Sequence, residues 1–305
     1  MKTIAISTNK GGVGKTALSH TMCLGLALTG KTVLLVDNDP QGTLSGTYCD
    51  IDQTLPGMAQ IYKGENEIFD CLIQQEAIQI DDEPTLIVVS ANKELQGIFD
   101  PLTKDMFKLD RLTEALKEPA IQQAFDYCII DNNPMFYGPN EASIRAADQI
   151  IIPCIPTKSD IQGLHRTFDN IRLMGPEQFR KISHIIPSKV VKTKLMRDNL
   201  EIMYRLYGKL VTMNKVMESS ILPKMVEQKK ILYISEGAHD FSQSMLALIA
   251  EVFSEIKIEQ IIENLESVKK KQKISNLLDW MKRKKLKPLS IIKDFTERTS
   301  KEVVL

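Results

Sequence analysis

No other stretch constrains this chain as tightly as Lys2 to Gly46, and within it Asn9-Lys10-Gly11-Gly12-Val13-Gly14-Lys15-Thr16. Lys2 to Thr8 has the composition of a short buried strand, and from Thr16 apolar residues recur at helical spacing through Leu18, Met22, Leu24, Leu26 and Leu28. Strand, glycine-rich turn and helix in that order make an anion-binding loop, because glycines let successive backbone N–H groups converge on a phosphate at a helix N-terminus. The residues assigned to phosphate are Lys10, Gly11, Gly12, Val13, Gly14, Lys15, Thr16 and Ala17, with Lys15 reaching the β- and γ-phosphates and the Thr16 hydroxyl ligating Mg²⁺. The plainer alternative, a tight turn that happens to contain Gly-Lys-Thr, does not account for the acidic strand that follows at once. Asn9 stands where the usual pattern has glycine, and Lys10 adds a second cation, aimed at the bound phosphates or at those of a neighbouring subunit.

Downstream, Lys31 to Asp37 is a continuous apolar run ending in an acid, as expected of a parallel strand buried on both faces. Phe125 to Asp131 repeats that pattern, and strand-end carboxylates facing a phosphate loop hold Mg²⁺ directly or through water, which assigns Asp131 to the metal. Capping a turn is the alternative use of a strand-end Asp; the repeated pattern favours the metal. Further strands are expected over Thr85 to Ser90, Gln149 to Pro153, Lys181 to Pro187 and Leu210 to Met213. Helices are expected over Asp105 to Lys117, Glu141 to Ala147, Asp160 to Met174, Leu195 to Leu206 and Phe241 to Ile256. Thr54 to about Pro84 is polar and poorly periodic and is expected to leave the sheet as an excursion. Alternation of this kind predicts an α/β fold: a doubly wound, mostly parallel sheet with helices on both faces.

Net charge is zero over the 305 residues, so nothing global announces nucleic acid. The distribution is more informative: Asn264 to Leu305 holds 12 Lys/Arg against 5 Asp/Glu, an excess of +7 that leaves −7 on residues 1–263. Two units are therefore expected, a nucleotide-binding domain over 1–263 and a basic amphipathic helical extension over 264–305. The five cysteines are far apart, without metal-ligand spacing, and are expected to be reduced and buried. With no leader-like start and no apolar run of membrane-spanning length, the expectation is a soluble, cytoplasmic protein. His20, His165, His184 and His239 show neither ligand nor triad spacing, which argues for structural roles.

Lys10-Gly-Gly-x-Gly-Lys-Thr16 together with Asp37-Asn38-Asp39-Pro40-Gln41-Gly42 resembles the deviant P-loop ATPases of the ParA/MinD family, and Ala146 to Pro153 followed by Gly163-Leu164 resembles the family's segment after its second acidic strand. The Asp-Pro-Gln-Gly form is similar to the ParA side. The resemblance implies a P-loop NTPase fold, ATP and Mg²⁺ as cofactors, and an ATP-dependent homodimer in which Lys10 crosses the interface to the partner's nucleotide. It also implies that Asp39 belongs with Thr16 and Asp131 to the metal site and orients the attacking water, so that Asp39 and Lys10 are the catalytic pair, while Asp37, Pro40, Gln41 and Gly42 form a switch. Slow hydrolysis stimulated by a ParB-like adaptor follows from the same likeness, as does nonspecific binding to nucleoid DNA during plasmid or chromosome partition. Candidate DNA contacts are Lys189, Lys192, Lys194, Arg197, Lys215, Lys224, Lys229 and Lys230. Two departures stand out, Asn132-Asn133-Pro134 after Asp131 and Thr43 where Asn is common.

The extension carries Lys269-Lys270-Lys271, then Ile274, Leu277, Leu278 and Met281 at helical spacing around Trp280, then Lys282 to Lys287. That pattern suits an anionic membrane surface, phosphate contacts on DNA, or a helix packed on protein. The alternative to the partition reading is accordingly a MinD-like ATPase held on a membrane by this segment. A module that binds nucleotide without turnover is a third reading, disfavoured by the presence of both Asp39 and Lys10.

Overall fold

The computed structural model describes residues 1–48, 56–74, 79–80, 83–84, 86–98, 106–136, 138–219 and 239–257. The strands are β1 (Lys2–Ile6), β2 (Val33–Asn38), β3 (Leu72–Gln74), β4 (Gln79–Ile80), β5 (Glu83–Pro84), β6 (Leu86–Val89), β7 (Tyr127–Asn132), β8 (Gln149–Cys154) and β9 (Ile182–Pro187). Seven of them form one sheet in the order β3-β6-β2-β7-β1-β8-β9, parallel throughout except for β3, which runs antiparallel to β6 at one edge. β4 and β5 make a separate two-stranded hairpin.

Central strands are apolar at nearly every position because both faces are covered. In β2, Val33 and Leu35 join one core with Tyr127 and Ile129 of β7, while Leu34 and Val36 join a second core on the opposite face with Cys128 and Ile130. The first core is closed by α1 (Lys15–Ala27) and by the helix His239–Val252, whose Met245, Leu248 and Ile249 are fully buried. The second is closed by α3 (Met58–Lys63), α5 (Met106–Lys117) and α7 (Pro139–Ala146). A third cluster lies under α8 (Lys158–Leu173) and α10 (Lys194–Tyr207) against β8 and β9. Shorter helices complete the described set: α2 (Ser45–Tyr48), α4 (Leu95–Ile98), α6 (Pro119–Ala124) and α9 (Pro176–Arg180). With the last helix as α11, the doubly wound, mostly parallel architecture expected from the alternation is the one observed.

Two sequence expectations are corrected. Leu210 to Met213 is not a strand: Gly208–Leu210 is a 3₁₀ turn, and only Val211 bridges to Ile185. The stretch from Thr54 to Pro84 is also less of an excursion than its polarity implied, since Met58, Ala59, Ile61 and Tyr62 bury one face of α3 in the core and Leu72–Gln74 adds the antiparallel edge strand. Four cysteines, Cys23, Cys71, Cys128 and Cys154, are free and buried; Cys49 lies outside the described residues. Among the described residues no helix is long and apolar enough to cross a membrane. The whole of 264–305 lies outside them.

Candidate nucleotide site

The loops after β1, β2, β7 and β9 meet at the C-terminal ends of the parallel strands, where open α/β sheets place their ligands. Gly12 and Gly14 have φ of +73° and +91°, a left-handed backbone that a side chain would strain, and Gly14 is the N-cap of α1. No side chain caps that helix and its first turn carries no acid, so its free N–H groups face the cleft. The cleft has a volume of about 490 Å³ and is lined by Gly11 to Leu18 on one side, with Asp39 and Pro134, and by Ser188, Lys189 and Val216 to Ser219 on the other.

Lys15 is buried and donates from Nζ to its own loop's Lys10 carbonyl at 3.0 Å. Burial pulls its pKa down, and the charges of Asp131 and Asp39 oppose that pull. Asp131, at the end of β7, accepts from Ser19 Oγ at 2.8 Å on Oδ1, while Oδ2 is buried without a hydrogen-bond partner. Burial and the neighbouring Asp37 raise its pKa to about 7, against the lowering effects of Ser19, Thr16 and Lys15. An orphaned carboxylate oxygen beside the Thr16 hydroxyl is a pair of hard oxygen donors of the kind Mg²⁺ takes. Among the described residues no group of three or more His, Cys, Asp or Glu could hold a metal ion.

Asp37 is fully buried and engaged differently. Its Oδ2 accepts from the Ser45 N–H at 2.7 Å and the Ser45 hydroxyl at 2.6 Å, and its Oδ1 from the Asp39 N–H at 3.2 Å. Ser45 Oγ in turn accepts from the Ala91 N–H at 2.8 Å. Burial raises the Asp37 pKa to about 6 in spite of these bonds. Asp37 thus fastens both ends of the segment that contains Asp39, Pro40, Gln41 and Gly42. Asp39 itself is part-exposed at the cleft, with Oδ1 accepting from the Gln41 N–H at 3.0 Å.

The asparagines after Asp131 are built into a buried network. Asn38 Nδ2 donates to Asn132 Oδ1 at 3.1 Å and to the Pro139 carbonyl at 2.6 Å, and Tyr62 donates to Asn38 Oδ1 at 2.9 Å. Asn132 Nδ2 reaches the Ile6 carbonyl at 3.2 Å, and Asn140 joins Ser7 to the Asn133 carbonyl. These amides tie the ends of β1, β2 and β7 together beneath the cleft.

The structure does not bring all the predicted residues to one place. Lys10 lies against its own α8, with Nζ 3.4 Å from Asp160 Oδ1. Lys189 lines the cleft wall, with φ of +50°, the one non-glycine positive φ among the described residues. Lys192, Lys194 and Arg197 are exposed at the start of α10, and Lys215 is half-buried. Lys224, Lys229 and Lys230 lie outside the described residues. Sequence reasoning missed the far wall of the cleft. Ser188 Oγ is buried there without a partner, and its position just past the C-terminal end of β9 was the available signal.

A family model described as an AAA domain matches residues 1–184. The chain is 31% identical over 226 residues to a ParA family protein of Chlamydia pneumoniae, covering 65% of this chain and 84% of that one. It is 28% identical over 236 residues to the Maintenance of carboxysome distribution protein A of Synechococcus elongatus, covering 75% and 90%. Among solved structures it is similar to an ATP complex of a substituted Cyanothece McdA, with a TM-score of 0.71 at 23% identity over 84% of this chain and 98% of that chain. A putative plasmid partition protein of Borrelia burgdorferi bound to AMPPNP gives 0.68 at 19%, over 83% and 98%. These structural likenesses carry the fold, and the family model together with the Chlamydia relative carries the membership: the chain belongs to the ParA family of deviant Walker A P-loop ATPases.

Proposed function

We propose that this protein is an ATP-switched positioning ATPase that dimerises with ATP, binds DNA nonspecifically in that state and releases it on hydrolysis. The observation that carries the reading is the convergence of the glycine loop, Lys15 and Asp39 on one cleft, with the buried Asp131 carboxylate close behind Lys15 and Thr16. Gly11 to Ala17 and Lys15 hold the triphosphate, and Thr16 with Asp131 would hold Mg²⁺. When bound, the cation neutralises charge on the β- and γ-phosphates. Asp39 orients the attacking water, and Asp37 sets the position of Asp39 through the switch segment rather than touching the nucleotide. The Ser188 to Lys189 and Val216 to Ser219 wall faces the nucleoside end.

Lys10, turned away from its own α8, reaches the nucleotide of a second copy and makes the triphosphate part of the dimer interface. DNA phosphates are met by Lys192, Lys194 and Arg197 at the start of α10, with Lys215 and with Lys224, Lys229 and Lys230. Lys189 belongs with the nucleotide instead. The cargo is a plasmid, a chromosome region or a protein assembly; the name of the Synechococcus relative supports the last and that of the Borrelia neighbour the first. A ParB-like adaptor completes the site and accelerates hydrolysis on the nucleoid.

Retention of the full-length chain on nonspecific duplex DNA and on anionic liposomes, each with ATP, ADP or no nucleotide, tests this reading. DNA binding that requires ATP and weakens steeply with salt is expected, and Lys194→Gln with Arg197→Gln should reduce it. Liposome binding without DNA retention, lost when Lys269, Lys270 and Lys271 become Gln, would replace it with the membrane-surface reading.

A further inference from the structure

We infer that Asp160 is a positioning residue that parks Lys10 on α8 and so sets how much ATP is needed to form the dimer. The inference rests on the reading that Lys10 acts on the nucleotide of a second copy. Its own basis is the seat that α8 presents. Asp160, Gly163 and Thr167 lie at i, i+3 and i+7, on one helix face, and each meets the phosphate loop. Asp160 Oδ1 is 3.4 Å from Lys10 Nζ, and Thr167 Oγ1 accepts from the Asn9 N–H at 3.2 Å. A Cβ placed on Gly163 would stand 3.2 Å from both Cγ and Cε of Lys10. Glycine inside a 16-residue helix is less favourable than alanine, so close approach of the lysine stem gives it a use here.

The two partners of the ion pair differ in freedom. The Asp160 side chain is 13% exposed and fixed at its other oxygen, where Thr157 Oγ1 donates to Oδ2 at 2.5 Å, while the Asp160 N–H donates back to Thr157 Oγ1 at 3.2 Å. The Lys10 side chain is 42% exposed. A rigid anion therefore holds a cation that can leave. A lysine engaged with Asp160 is not extended toward a second copy, so the apparent dimerisation constant is reduced by the fraction of Lys10 that is released. A triphosphate, carrying several charges, competes for the lysine better than a single carboxylate does. Asp160 thereby makes weak or partial ligands insufficient.

The test is sedimentation velocity of the full-length chain across a titration of Mg·AMPPNP. Asp160→Asn keeps the shape and the Thr157 bond but removes the charge, and should lower the nucleotide concentration at half-dimerisation by roughly two- to fivefold, the range a partly exposed ion pair commands. Gly163→Ala should act in the same direction with a smaller shift, since its methyl crowds the lysine stem. Thr157→Ala removes the hydroxyl that fixes Asp160 and should lower the threshold too, by less than Asp160→Asn because the charge remains. Lys10→Ala should abolish nucleotide-dependent dimerisation, and Asp160→Glu, which keeps the negative charge beside Lys10, should hold the threshold nearer the parent's than Asp160→Asn does, a split that a merely structural role for Asp160 would not give. If Lys10→Ala weakens dimerisation while Asp160→Asn leaves the threshold unchanged or raises it, the parking role is wrong and the reading of Lys10 stands. If Lys10→Ala dimerises like the parent, the reading beneath the inference is wrong.

Discussion

Asp37 and Asp131 stand side by side, paired in register at the ends of β2 and β7, and both are buried acids with raised pKa values. Their surroundings are opposite. Asp37 has both oxygens engaged by donors of the switch segment, whereas Asp131 has the Ser19 hydroxyl on Oδ1 and, on Oδ2, no hydrogen bond, with the Thr16 hydroxyl nearby. A satisfied buried carboxylate holds structure; an orphaned one is held ready for a ligand that brings its own charge. Two strand-end acids that look alike in sequence are thus assigned different work by what folds over them.

The contrast breaks first at the level of turnover. Lys15→Ala and Asp39→Ala should each lower ATP hydrolysis by roughly 10²–10³-fold, the usual cost of removing one preorganised group, in steady-state phosphate release with Mg²⁺ saturating. Next comes the pair itself. Asp37→Asn sets an amide against the Ser45 or Asp39 donors and should destabilise the protein by roughly 1–3 kcal/mol in chemical denaturation. Asp131→Asn keeps the Ser19 bond and removes a buried, unfavourable charge, so at neutral pH the variant should be at least as stable as the parent, while the gain in nucleotide affinity on adding Mg²⁺ is lost in calorimetric titration. If both variants destabilise equally and bind alike, the two acids are not distinct.

Protonation sharpens the same comparison. With folded pKa values of about 6 and about 7, Asp37 and Asp131 take up protons in the folded state that the unfolded chain has already released. Their contribution therefore falls as pH rises from the ordinary carboxylate range toward 7. His20 has the opposite sign. It is buried against Tyr48, with Tyr48 Oη 2.6 Å from its Nδ1, and burial lowers its pKa to about 4. Its contribution is complete above pH 6.5 and declines as pH falls toward 4, by roughly 3 kcal/mol in all. In His20→Asn, stability measured across that window should lose the His20 share of the slope, and the variant and parent profiles should run parallel above about pH 7.

How much of this was legible beforehand follows from how local each signal is. Gly12 and Gly14 announce their loop because the positive φ they need is a property of single residues. The apolar runs ending in Asp37 and Asp131 announce parallel strands because burial on both faces acts on every position. Nothing local marks Ser19 as the partner of Asp131, 112 residues away, or Ser45 and Ala91 as the links that saturate Asp37. The amide run Asn132-Asn133 looked like a departure, and only the packing of β1, β2 and α7 shows that it joins strand ends. Helix α3 was hidden because four core residues sit within a long polar stretch. Leu210 to Met213 misled for the converse reason, apolar residues at a sheet edge where Val211 alone pairs.

The most direct test of a triphosphate-operated switch is the mass of the full-length protein in solution with Mg²⁺ and no nucleotide, ADP or AMPPNP, read by sedimentation equilibrium. A monomer is expected in the first two conditions and a dimer in the third. A chain that stays monomeric with AMPPNP while binding it, or that dimerises equally with ADP, would contradict the switch.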